Sequence, residues 1–250
     1  MIYFLISRGH KTQDVLRLIS HLEARTLQKI GKDFYVSGKR NELEFFDNDI
    51  CVRWGAKYDV DCRTINSLTG VMNASNKRKA RQLLEGRVDI PKTWYDIKEA
   101  RVPFIARPST HTHGRNFIVV RNERDQRTLA ARKRLNGWYF SELLNFTEEY
   151  RVYVGGDKAL GAWKKQFKPG ELRANRAITN LEWEFLMPPE DVAKIAVDAA
   201  QVLGIELSGV DVGVTVDRVV LIEVNTTPRI SGPQVVEAYA NYINGCSLSI

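Results

Sequence analysis

Cysteine is scarce in this chain: Cys51, Cys62 and Cys246 are the only three in 250 residues. The number is odd and no two stand at a paired spacing. That argues against a disulfide framework or structural zinc site and fits a reducing, cytoplasmic compartment. Histidine is nearly as thin, with four, and only His111 and His113 lie close together. No Ser-His-Asp or Cys-His pattern offers a covalent nucleophile. No apolar run approaches the roughly 18 residues of a membrane span. The opening MIYFLI is too short for a signal peptide's apolar stretch, and no basic segment precedes it. Internal repeats and low-complexity tracts are also missing.

What is present has ordinary proportions, 44% hydrophobic and 27% charged. At this length the chain forms one large domain or two small ones with a real core. Charge leans positive, with 37 Lys and Arg against 30 Asp and Glu and a net charge of +7; the pI is near 9.3. Basic clusters stand at 77–81, 121–134 and 164–176. They fit an anionic partner such as nucleotide phosphate, acidic peptide or nucleic acid. The first two also read as ordinary solvated helix faces.

The first 70 residues alternate strand and helix patterns: MIYFLI, a helix from Thr12, DFYVSG and NDICVRWG. This predicts a small α/β unit. A basic helix opens at Ser75 or Asn76 and closes at Gly86, followed by the extended VDIPKT. Paired strands come next. PFIARP and FIVV flank STHTHGRN (109–116), a helix over about 124–136 ends at Gly137, and WYFSELL reads as a strand. YRVYVGG and KALGAWKK predict a hairpin about Gly155-Gly156-Asp157. PPEDVAKIAVDAAQVLG is the clearest helix, with acids in its first turn and Gly204 as its stop.

The most informative stretch is GVDVGVTVDRVVLIEVNTTP, 209–228, which predicts two strands and a tight turn. Val210, Val212, Val214 and Val216 alternate with Asp211, Gly213 and Thr215. On the second strand Val220, Ile222 and Val224 alternate with Leu221, Glu223 and Asn225. Burying both apolar faces sets Val212 opposite Ile222, Val214 opposite Val220 and Asp211 opposite Glu223. A two-residue loop would mix the faces, so the loop is odd in length or the ladder carries a bulge. Two acids and an amide on one face suit a hard divalent cation. A merely solvated face is the plainer alternative.

Read in order, these pieces resemble the ATP-grasp ligases, above all the RimK-type glutamate-adding enzymes and the D-alanine–D-alanine ligases. The resemblance runs over roughly 73–232. It implies an α/β (α+β) fold with nucleotide held between two antiparallel sheets. A short N-terminal α/β domain (1–72) would precede an ATP-grasp domain (73–250), itself a central lobe (73–145) and a metal-binding lobe (146–250). Lys77 stands where the family binds phosphate, though it also reads as a solvated helix lysine. Arg107 in PFIARP takes the place of the usual lysine of "IVKP" and differs from it in geometry. STHTHGRNF replaces a glycine-rich flap, with Gly114 its one glycine; His111, His113 and Arg115 are donors to phosphate or simply loop polarity.

SELLNFTEEYRVYV matches the adenine hinge, with Glu142 and Glu149 at the spacing of the hinge and ribose acids and Leu143 and Leu144 against the ring. Lys164 and Lys165 stand where a basic residue meets phosphate or carboxylate. RANRAITN resembles the "R-x-N" segment, which gives Arg173 and Asn175 roles at the transferred groups; a structural loop is the alternative. Asp211, Glu223 and Asn225 fall on the magnesium ligands. Arg229 replaces a glycine and offers a carboxylate clamp. The implied chemistry is an ATP-dependent carboxylate–amine ligation through an acylphosphate, with two Mg²⁺ ions, or Mn²⁺, about 3.5–4 Å apart. A phosphoryl transferase and a non-catalytic basic nucleotide- or nucleic-acid-binding protein are the alternatives. A homo-oligomer is common among such proteins.

Overall fold

The computed structural model describes residues 1–6, 13–30, 33–41, 44–109, 117–132, 134–166, 183–230 and 232–248. Three sheets organise them. The first contains β1 (Ile2–Ile6), β2 (Arg25–Ile30), β3 (Asp33–Val36), β4 (Lys39–Asn41), β5 (Ile50–Trp54) and β6 (Arg63–Ile65), in the order β4-β3-β2-β1-β5-β6. β1 runs parallel to β2 and β5, and β5 to β6. Parallel strands need cover on both faces, and Phe4, Leu5, Ile50 and Val52 are fully buried. α1 (Gln13–His21) contributes Val15, Leu18 and Ile19 to that cover. The predicted α/β unit is present. β2 was not predicted, because RTLQKI carries too little apolar periodicity to announce a strand.

Two short helices lead on. In α2 (Leu68–Ser75) the Ser67 hydroxyl caps the first turn by accepting from Gly70 N–H at 2.9 Å. α3 (Lys77–Leu84) is the expected basic helix, capped by the Asn76 amide oxygen. The second sheet contains β7 (Thr93–Trp94), β8 (Phe104–Pro108), β9 (Ile118–Val120) and β10 (Trp138–Glu142), ordered β7-β10-β8-β9 and antiparallel throughout. α4 (Glu123–Arg132) is shorter than the 124–136 expected. The chain turns into β10 through Gly137 at φ 78°, a conformation glycine adopts without strain.

The third sheet contains β11 (Glu148–Gly155), β12 (Lys158–Gln166), β13 (Trp183–Leu186), β14 (Leu207–Val214) and β15 (Val219–Asn225), ordered β13-β12-β11-β14-β15. All its pairings are antiparallel. α5 (Glu190–Leu203) covers one face, packing Val192, Ala196, Ala199 and Leu203 on Tyr150, Val152, Val210 and Val212. It ends where predicted: Gly204 is left-handed (φ 73°, ψ 38°) and its N–H closes onto Ala200 and Gln201 carbonyls. α6 (Pro233–Leu248) returns to the first sheet, setting Val235, Tyr239 and Ile243 among Phe4, Ile6 and Trp54. Asn66 fastens the same junction. Its amide oxygen accepts from Glu206 and Leu207 N–H (2.9 and 2.8 Å), and its Nδ2 donates to Leu207 C=O (2.8 Å). Among the described residues no helix is long and apolar enough to cross a membrane.

Candidate active site

β14 and β15 carry the acids. Asp211 stands opposite Glu223 and Gly209 opposite Asn225, as the two-residue period requires. The rest of the expected register does not hold: Val212 faces Leu221, not Ile222, and Val214 faces Val219, not Val220. A β-bulge after Asp211 leaves Ile222 without an opposite residue. The turn is 215–218, closed by Thr215 N–H to Arg218 C=O at 2.9 Å. Val216 sits in it, 93% exposed, instead of extending the buried row. Leu221 belongs with Val212 and Val224 in the core under α5, while Glu223 occupies the other face. Residues two apart in a strand share a face, so the extra residue is what separates them.

Two rows of side chains cross the face turned away from α5. One is Trp163, Arg151, Asp211 and Glu223; the next is Lys165, Glu149, Gly213 and Val220. Arg151 grips Asp211 with two arms, Nε to Oδ1 and Nη2 to Oδ2, both 2.8 Å. Asn225 Nδ2 donates to Asp211 Oδ2 at 3.3 Å. Burial pushes the Asp211 carboxyl up, but Arg151, then Lys165 and Lys77, outweigh it and hold the group below the usual range. Lys165 pairs with Glu149. Lys164 points to the other face and meets Glu148 Oε1 at 2.5 Å, so only Lys165 belongs to the site. Phe146 covers Gly213; a Cβ there would lie 2.4 Å from the ring.

Along the β15 edge of the sheet stand α3 and Tyr139 of the second sheet. Lys77 Nζ donates to Val224 C=O at 2.7 Å and lies 3.4 Å from Glu223 Oε1. Arg81, one helical turn on, donates to the carbonyls of Leu221 (3.4 Å) and Ile222 (2.5 Å). Tyr139 of β10 closes a crevice shared with Lys77, Arg81, Ile222 and Glu223. Arg107 pairs with Tyr139 across β8 and β10. Burial presses the Arg81 guanidinium below its usual value, and the nearby charge of Arg107 adds to this.

The expected hinge lies at the turn end of the hairpin. Glu142 accepts from Arg218 Nη2 at 2.9 Å and from Lys92 N–H at 3.3 Å. Leu143 N–H donates to Pro103 C=O at 3.3 Å, and Leu143 and Leu144 are both half-buried. Arg229 is exposed on the loop after β15, where its carbonyl accepts from Tyr153 at 2.9 Å. His111, His113, Gly114, Arg115, Arg173 and Asn175 lie outside the described residues.

Sequence reasoning missed Arg81 and Tyr139 and gave Arg151 no role. Arg81 is hidden in KRKAR; its signal is the four-residue step from Lys77, which puts both on one helix face beside Ala80 and Leu84. Among the described residues no three His, Cys, Asp or Glu side chains gather as a metal site. The set here is two carboxylates and an amide. Such oxygen donors fit a hard cation that keeps water and substrate oxygens in its remaining positions.

A RimK-like ATP-grasp domain model matches residues 65–239. The curated "Probable alpha-L-glutamate ligase 2" of Hahella chejuensis is 28% identical over 184 residues, covering 68% of this chain and 60% of its own. The chain thus spans less than two thirds of that relative's length. Among solved structures, the ATP-grasp ligase PsnB complexed with minimal precursor, Mg and ADP superposes with a TM-score of 0.68 at 14% identity, covering 98% of this chain and 97% of that one. The VanG D-Ala:D-Ser ligase from Enterococcus faecalis gives 0.69 at 12% identity, covering 98% of each chain. These likenesses give the fold: two antiparallel sheets facing one another, as in other ATP-grasp proteins. The family match takes in well over half of the sequence, and the chain belongs to the RimK-like ATP-grasp domain family.

Proposed function

We propose that the protein is an ATP-dependent carboxylate–amine ligase. A carboxylate oxygen bonds to the γ-phosphorus of ATP as ADP leaves. The amine nitrogen then bonds to the acyl carbon, phosphate departs, and the amine gives up a proton. Both steps crowd negative charge together, so the protein's share is positioning and neutralisation. The observation that carries this reading is the row of Asp211 and Glu223, with Asn225 beside them and Lys77 at 3.4 Å from Glu223.

Asp211, Glu223 and Asn225 would hold magnesium, two ions in this reading, with manganese as a substitute. When bound, the metal draws charge from the β- and γ-phosphate oxygens. Lys77, Arg107, His113 and Gly114 take the phosphates. Glu142, Leu143 and Leu144 receive the base, and Glu149 the ribose. Lys165, Arg173, Asn175 and Arg229 serve the carboxylate and acyl groups. Residues 1–72 form a short N-terminal α/β domain that shares a core with α6, 73–250 form the ATP-grasp domain, and the protein works in the cytoplasm. The name of the Hahella relative supports glutamate as one substrate. A PsnB complex with a precursor peptide supports a peptide as the other, and the net charge of +7 suits acidic partners.

The test is a hydroxylamine trap with Mg-ATP across a panel of amino acids and acidic peptides. Hydroxamate together with ADP is expected. ADP without hydroxamate would indicate phosphoryl transfer to something other than a carboxylate. Glu223→Gln should stay folded and lose ADP formation by about a hundredfold or more, as expected when a positioned charge at a phosphoryl-transfer site is removed. Normal turnover would remove the metal role.

A further inference from the structure

Arg81 is a buried cation that the proposed chemistry does not use. Only 5% of the residue is exposed, and its guanidinium donates to the carbonyls of Leu221 and Ile222. Those are the peptides at the bulge, where Ile222 has no opposite residue. β15 is the outer strand of its sheet, so carbonyls on its open edge have no ladder partner, and the bulge brings two successive ones there; a buried carbonyl needs another donor.

The sequence itself leaves this register open. Residues 219–222 are Val, Val, Leu and Ile, and any of them can fill an apolar position. Without the bulge, Val212 would face Ile222, and Leu221 would turn out of the core onto the face of the acids. Something outside the strand must decide, and α3 is placed to do so. Lys77 and Arg81, one turn apart, donate to the carbonyls of residues 224, 222 and 221. A lysine's single ammonium already serves Val224. The two carbonyls at the bulge call for a planar fork, which arginine has and lysine lacks.

We propose that Arg81 is the positioning residue for the acid at 223. It holds the extra residue of β15 in place, so that Glu223 lies beside Asp211 while Leu221 stays under α5. The functional half of this inference rests on the ligase reading; the structural half does not.

Arg81→Met keeps the length and removes the fork, and Arg81→Lys keeps the charge. In ligand-free protein, hydrogen exchange over 219–225 should speed up by about tenfold or more in Arg81→Met relative to the rest of the third sheet, with Arg81→Lys between it and wild type. Mn²⁺ binding in the presence of ADP, followed by the metal's paramagnetic resonance, should weaken about 10–100-fold, the range typical when the support of a ligand is lost. Affinity for ADP in metal-free buffer should not change. Uniformly faster exchange across the whole protein, with unchanged Mn²⁺ affinity, would overturn the proposal and leave Arg81 an ordinary core residue. If Arg81→Met does not fold, the same comparison on Arg81→Lys decides. If wild type itself binds no Mn²⁺ with ADP, the ligase reading falls, and the exchange pattern alone decides whether Arg81 fixes the bulge.

Discussion

At the residue scale, the pairing of Arg151 with Asp211 sets a two-armed guanidinium on a buried carboxylate. Asp211 is 8% exposed and its carboxyl is held below its usual value. Its ionised form therefore stabilises the fold. That contribution is complete above the unfolded value of about 3.9 and drains away as pH falls through the lower folded value. Asp211→Asn leaves a half-buried guanidinium facing an amide. It should cost about 3 kcal/mol at pH 7, the low end for breaking a buried pair, because the Arg151 side chain is 25% exposed. Urea unfolding at pH 7 and pH 3 checks this: the gap between variant and wild type should narrow at the lower pH, and a gap independent of pH would refute it. That Asp211 would stand opposite Glu223 was legible from the two-residue period of the strands. Arg151 and Arg81 were not, since a cation in an alternating strand or a basic helix reads as a solvated side chain.

At the scale of elements, legibility followed periodicity and caps. α5 has both, and its end at Gly204 was readable to the residue. α2 lacks acids in its first turn and charge in its last, and its cap Ser67 looks like any loop serine. The bulge was one of the two expected ways of keeping the faces apart, but its place was not legible, since exchanging Ile222 for Leu221 alters no apolar count. What α2 contributes is closeness. A Cβ on Gly70 would lie 2.1 Å from the Gly204 carbonyl oxygen, so backbone of α2 rests against the end of α5. Gly70→Ala must push the two apart. It should destabilise by about 1–3 kcal/mol, the usual cost of overpacking, or more because the obstacle is backbone. Thermal unfolding measures this; an unchanged midpoint would mean the helices separate freely.

At the scale of the whole molecule, the order of motifs made the two facing sheets readable, but not how the first sheet joins them. That joint depends on α6, whose Val235, Tyr239 and Ile243 fall four residues apart and so share a stripe that meets Phe4 and Trp54. Nothing in the stripe names its partner. The family-matched region, 65–239, is therefore not a self-sufficient unit. Expressed alone it should expose Leu207, Ile230 and Tyr239, bind apolar dyes and aggregate, whereas the full chain should not; a monodisperse, dye-free fragment would contradict this. Asn66 sharpens the point. It pins Leu207, four positions before Asp211 on the same strand. A tag, a truncation or a crosslink that unseats the first sheet will thus loosen the anchorage of a carboxylate far from the insult, and lost turnover in such variants would testify to slack scaffolding, not to severed contact with the molecule being joined.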